Sequence, residues 1–128
     1  MDGIKQNLHM LGNALHLRSK RNEILASNIA NAATPHYKAR DINFDEEIKR
    51  YQTEGPLKVT HSTHLPVSKV AAPSKIQYRE NLNPSLDGNT VELAVEQMQF
   101  AENSMRYQTT LSFLNGKIGT LMSAIKGE

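Results

Sequence analysis

Cysteine is absent from this chain, so disulfides and thiolate-bound zinc are excluded at the outset. Tryptophan is absent as well, and Phe and Tyr together make up 5% of the 128 residues. The hydrophobic fraction of 38% lies below the roughly 45–50% usual for globular domains. Little apolar material is therefore available for a large self-contained core, and most of it sits toward the two ends of the chain. That distribution suits a subunit that completes its core with neighbours. The length fits one domain at most. No apolar run approaches the roughly 18–20 residues of a membrane span. Met1-Asp2-Gly3-Ile4-Lys5 lacks the basic-then-apolar-then-small pattern of a cleaved signal peptide.

Signatures of chemistry are missing too. There is no glycine-rich phosphate loop and no serine or threonine in a nucleophile motif, so the chain is not expected to be an enzyme or to take a cofactor or small-molecule substrate. His61 and His64 form an i, i+3 pair and His9 and His16 lie seven apart. Neither spacing implies the third protein ligand that a zinc site needs. The net charge of +2 points to no polyanionic partner. The cluster Arg18-Ser19-Lys20-Arg21 comes without an aromatic platform or groove-reading motif, so it reads as a solvated helix face and not as a nucleic-acid contact. Asp45-Glu46-Glu47 reads as a solvated turn at a helix start, where the helix dipole favours acids.

What the sequence does contain is helix. From about Ile4 to Asn31, Leu8, Leu11, Leu15, Leu25 and Ile29 recur at three- and four-residue steps, with Met10, Ala14, Leu17 and Ile24 on an adjoining line. Arg18 and Asn22 interrupt the seam, and polar seam positions can set register between helices. Pro35 disfavours helical geometry at Thr34 and has no N–H to donate, so the helix should end near Asn31 to Ala33. Asn31 and Thr34 can satisfy backbone groups freed at that end. Tyr37, Ile42 and Phe44 then mark an extended course, and Asp45 to Tyr51 adds a helical turn or two. Next come short strand-like pieces, Leu57–Thr60, Pro66–Val70 and Ile76–Tyr78, each bounded by turn formers. Asn89, with Glu92 three residues on, resembles a capping box for a second long helix from Thr90 to about Lys126. Its stripe ends in Leu111, Leu114, Ile118, Leu121 and Ile125. Gly116 and Gly119 weaken it but permit close approach of another helix.

The expected fold is mainly α. Two long terminal helices pair as a coiled-coil-like hairpin around an irregular, partly β middle segment. The boundaries are 1–34, 35–88 and 89–128 within one domain. Surplus apolar seams should pack on neighbouring subunits through Leu8, Leu11, Leu15, Leu25 and Ile29, and through Leu111, Leu114, Ile118, Leu121 and Ile125. A heterologous contact of that kind builds an open filament.

Two wordings are more specific than their physics. The first is Asn28 followed by Ala30-Asn31-x-x-Thr34-Pro35-x-Tyr37-Lys38, continued as Ala39-Arg40-Asp41-Ile42-x-Phe44. The second is Ser85-Leu86-Asp87-Gly88-Asn89-Thr90-Val91-Glu92-Leu93, with Ala101-Glu102-Asn103-Ser104-x-Arg106-Tyr107-Gln108. Together they resemble the bacterial flagellar axial proteins, and within them the rod members. His36 stands where many of those proteins have Gly, so a type I turn or open bend is expected there. The resemblance implies a structural subunit of the proximal rod of the basal body, exported without a cleaved signal. It implies as partners further copies of the chain, other proximal rod proteins, the hook-basal body adaptor at the rod base, the membrane ring and the export apparatus. The alternative is a helical binding module, such as a secretion adaptor or chaperone.

Overall fold

A computed structural model describes residues 2–53, 74–80 and 85–127. Its elements are α1 (Asp2–Ala30), β1 (Arg40–Ile42), α2 (Phe44–Thr53), β2 (Ile76–Tyr78) and α3 (Leu93–Lys126). The two long helices form the expected antiparallel hairpin. Asn28 of α1 meets Glu96 of α3, Arg18 meets Asn103, and Ile4, Leu8 and Leu11 line one cavity with Lys117 and Leu121. The register is fixed by polar seam residues. Asn103 is buried and donates to the Arg18 carbonyl at 2.8 Å and to Asn22 Oδ1 at 2.7 Å. A sliding hairpin would leave that amide buried without partners, which costs more than an exposed bond gains.

The apolar core is small and lies at the turn end. Leu17, Ile24 and Ile42 form it, with Phe44 and Ile48 packed against them, and Leu25 and Ala39 are also buried. The two apolar lines of α1 thus serve different partners: one faces α3, and the Leu17–Ile24 line receives β1 and α2. The strands pair antiparallel, Arg40 with Tyr78, Asp41 with Gln77 and Ile42 with Ile76. The expected strand at Ile76–Tyr78 is present, while the Leu57–Thr60 and Pro66–Val70 pieces, like His61 and His64, lie outside the described residues.

Local details differ from the sequence expectations in four places. First, α2 begins at Phe44 and runs ten residues, because Asp45, Glu46 and Glu47 fill its first turn, where acids suit the helix dipole. Glu47 is not solvated: it is buried, accepts from the Lys75 amide at 3.1 Å and pairs with Arg50 at 2.7 Å. Second, α3 starts at Leu93, with Glu92 at its N-cap and no side-chain capping bond. Third, Asn89 caps the other helix. Its Nδ2 donates to the carbonyls of Asn31, Ala32 and Thr34 at 2.9–3.0 Å, and its Oδ1 accepts from the Val91 amide at 2.8 Å. One buried amide thereby ties the turn after α1 to the approach to α3. Fourth, His36 has φ 60°, so it takes the left-handed conformation itself instead of a type I turn. The reason is tertiary: its amide donates to the Asp87 carbonyl at 3.0 Å. Opposite it Gly88 has φ 72°, and a Cβ there would stand 2.9 Å from His36 Nδ1.

At its far end α3 stops at Gly127 in the left-handed region, whose amide returns to the Ser123 carbonyl at 3.0 Å.

Two expectations follow from the capped turn. Asn89→Ala should lower the unfolding free energy of the full chain by about 2 kcal/mol, and Asn89→Asp by more, since it sets an acceptor against three carbonyls. Urea titration checks both, and a wild-type midpoint for Asn89→Asp would show that the cap is not operating. His36→Gly should raise stability by about 0.5 kcal/mol, the left-handed strain relieved less the added freedom of the unfolded chain.

Candidate assembly site

The recognised stretch around Pro35 and the second wording at 85–93 are two halves of one knot. Asn28 is fully buried and mimics a paired backbone: its Nδ2 donates to the Arg40 carbonyl at 2.7 Å and its Oδ1 accepts from the Arg40 amide at 3.1 Å. The Tyr37 hydroxyl donates to the same Oδ1 at 3.3 Å and contacts Ser27 Oγ at 3.1 Å. Asn31 donates to the Ser27 carbonyl and accepts from Thr34 Oγ1. Lys38 Nζ reaches the Gly88 carbonyl at 2.8 Å. The Thr90 amide donates to the Tyr37 carbonyl, and Thr90 Oγ1 accepts from the Ala39 amide. Ala30 ends α1, and Pro35 lies exposed on the turn outside these bonds.

Beside the knot lies a charge network that sequence reading did not assemble. Asp41 receives Arg21 Nε at 2.8 Å and Arg21 NH2 at 2.9 Å, and on its Oδ2 also Arg79 NH2 at 2.6 Å. The same Arg79 pairs through NH1 with Glu96, whose side chain is 1% exposed and whose other oxygen accepts from Asn28 Nδ2 at 3.1 Å. Arg21 NH2 also donates to Gln99 Oε1 at 2.6 Å. Burial would raise the Asp41 carboxyl, but hydrogen bonds from Arg21 and Arg79 outweigh it and hold the carboxyl below its usual value. Arg21 is raised in return, chiefly by its hydrogen bond to Asp41.

The basic cluster is a solvated face only at Ser19 and Lys20, while Arg18 and Arg21 are half-buried. Arg21 is taken up by Asp41, Lys20 pairs with Glu23, and the Arg18 guanidinium lies 4.1 Å from the centre of the Phe44 ring. Arg79, Glu96, Gln99 and Asn103 carried no local signal, because their partners lie 17 to 85 residues away. Among the described residues, no group of three or more His, Asp or Glu is placed to hold a metal.

The residues expected to meet neighbours fall into three groups. Leu25 is fully buried and belongs to the internal core, so it has no surface to offer. Leu8, Leu11, Leu15, Ile29, Leu114 and Leu121 are half-buried along the hairpin seam. Leu111 and Ile118 are exposed at its edge, and Ile125 is 85% exposed. Met98, Met105, Phe113 and Met122 are also exposed. On α3 the line Ser112, Gly116, Gly119, Ser123 follows the four-three-four spacing of one helix face. A Cβ added at Gly116 or Gly119 would meet nothing within 4 Å in the chain itself.

The network makes stability acid-sensitive. Because the folded value of Asp41 lies below its unfolded one, its contribution is present above about pH 4 and is lost as pH falls through the folded value. Asp41→Asn should cost about 2–3 kcal/mol at neutral pH, less than a fully buried pair because solvent screens it. It should also flatten the fall in thermal midpoint between pH 5 and pH 3. An unchanged acid limb in that variant would assign the limb to other carboxylates.

Comparison with known proteins points to one family. The family described as "Flagella basal body rod protein" matches residues 8–38, which span most of α1 and the turn. A flagellar basal body rod protein FlgB of Cereibacter sphaeroides is 55% identical over 128 residues, with both chains covered completely. FlgB of Escherichia coli K12 is 42% identical, covering 98% of this chain and 97% of its own. FlgB of Salmonella typhimurium is 42% identical, covering 99% and 98%. With identity of that level over the full length, the chain belongs to the FlgB family of flagellar basal body rod proteins.

Proposed function

We propose that this chain is a structural subunit of the proximal rod, polymerising through its terminal helices into part of the drive shaft around the export channel. The observation that carries the reading is the exposed apolar face along α3, joined to a full-length match with rod proteins. Exposed Leu111, Ile118, Met122 and Ile125 share one face of α3, and such an exposed apolar stripe marks an interaction surface. In this reading residues 1–34 and 89–128 form the polymerising part, and 35–88 projects from it or links subunits. The contacts run through Leu8, Leu11, Leu15 and Ile29 on α1 and through Leu111, Leu114, Ile118, Leu121 and Ile125 on α3. The partners are further copies, other proximal rod proteins, the hook-basal body adaptor, the membrane ring and, during delivery, the export apparatus, which the chain passes without a cleaved signal. The secretion adaptor or chaperone has no comparable support, since the relatives that align end to end are rod proteins by name.

The test is incorporation into basal bodies purified from cells whose own rod subunit is replaced by this chain. Ile118→Asp should be exported yet absent from the rod, with motility lost. Normal incorporation of Ile118→Asp would overturn the assembly role of the α3 seam. The pair Gly116→Ala with Gly119→Ala separates packing from propensity. Alanine has room in the free chain and should stabilise its helix by about 1 kcal/mol per site. If a neighbouring helix approaches along that face, the same variant should incorporate poorly.

A further inference from the structure

The charge network around Asp41 has an open side. A cleft of about 450 Å3 lies there between α1, the strand pair, the start of α2 and the middle of α3. Arg18, Arg21, Arg79 and Arg106 line it. So do three acids, Asp41, Asp45 and Glu102, which leaves the lining one positive charge in excess. Most of the charge is matched internally. Asp41 holds Arg21 and Arg79, and Arg79 also holds Glu96. Arg106 pairs with Glu102 at 2.6 Å, but both side chains are at least half exposed, so water screens that pair.

Arg18 is the cation left over. A guanidinium offers five N–H donors. Among the described residues Arg18 makes no ion pair, and its one hydrogen bond runs from NH1 to Asn103 Oδ1 at 3.4 Å. Its Nε is removed from water and has no hydrogen-bond partner there. The guanidinium lies over the Phe44 ring, 4.1 Å from its centre. Burial holds the pKa of Arg18 below its usual value, and Arg106 and Arg21 lower it by more than Glu102 and Asp45 raise it. On balance the charges around Arg18 repel it.

The shortfall is one negative charge, and the walls suit a charge carried on a short stem. Phe44 and the exposed Tyr78 ring set apolar surface beside the arginines. A carboxylate can accept two parallel N–H bonds from a guanidinium. A phosphate, at about −1.5 to −2, would overfill a site that already holds Asp45 and Glu102.

We propose that this cleft seats a single carboxylate side chain presented by a neighbouring protein chain, with Arg18 as its principal contact. The inference rests on the rod reading only for the source of the carboxylate, a neighbouring subunit. It adds a site away from the apolar seams, and that site selects its partner by charge and not by apolar area.

The test is a titration of the isotope-labelled full chain with an end-blocked tripeptide whose central residue is glutamate, followed at the Arg18 Nε–H resonance. The resonance should move saturably at millimolar peptide and stay in place with the glutamine tripeptide. Arg18→Gln should weaken binding, read at the amides of 41–45, by about ten-fold. The hairpin register survives that change, because Asn103 Nδ2 holds the Arg18 backbone carbonyl at 2.8 Å. Glu102→Gln should tighten binding about three-fold, since it removes a competing carboxylate from the cleft. An Arg18 that served packing alone would give no such gain. An equal response to the glutamine peptide, no response to either, or no tightening in Glu102→Gln overturns the proposal. Inorganic phosphate that moves the resonance at lower concentration than the glutamate peptide overturns the carboxylate assignment. In purified basal bodies Arg18→Gln should be under-represented. Its normal entry overturns the neighbouring subunit as the source, while Ile118→Asp tests the rod reading apart from it.

Discussion

The fold depends on the burial of one carboxylate. Glu96 lies on α3 with its side chain almost wholly removed from water, and an ionised group in that position is tolerated only when paired and hydrogen-bonded. Its partners come from elsewhere: Arg79 from the segment after β2, and Asn28 from α1. Arg79 in turn shares Asp41 of β1 with Arg21 of α1. Four parts of the chain must therefore be in place together, or a charge is left buried alone. Such a network adds less net stability than its bond count suggests, since desolvation offsets much of the Coulombic gain. What it does is penalise every other arrangement. In a protein with so small an apolar core, that penalty specifies where the middle segment sits on the hairpin.

The turn after α1 works on the same principle with neutral groups. Carbonyls at the end of α1 are taken by the amides of Asn31 and Ala32, and those of the turn that follows are collected by the single side-chain amide of Asn89. The strand-like pairing of Asn28 with Arg40 and the Thr90 contacts close the rest. The end of α1 and the approach to α3 are consequently one structure. The two wordings that lie far apart in the chain thus meet in one place.

Beyond the knot the hairpin is plainer and less complete. Buried apolar residues gather between Leu17 and Ile42, and the outer halves of α1 and α3 offer mostly half-buried seams and exposed side chains. A cavity of about 190 Å3 remains between Ile4, Leu8 and Leu11 on one side and Lys117 and Leu121 on the other. The molecule thus divides into an end that is internally satisfied and an end whose apolar surface is not.

By itself the sequence determined what short-range physics can determine. Three-four periodicity specified two long helices, Pro35 placed the break between them, and the scarcity of apolar residues said that the core would be small. The polar seam at Arg18 and Asn22 was legible for the same reason, as an interruption of a regular stripe. Tertiary structure decided everything that joins distant residues. It assigned Asn89 to the end of α1, 58 residues from the carbonyl of Asn31, and not to its own helix. It turned Arg21 from a solvated cation into the partner of Asp41, buried Glu47 and Leu25, and forced His36 into the left-handed region so that its amide could reach Asp87. Periodicity and proline geometry act over a few residues and can be read along the chain. Hydrogen bonds and ion pairs between remote side chains depend on which segments the fold brings within about 3 Å, and no local pattern encodes that.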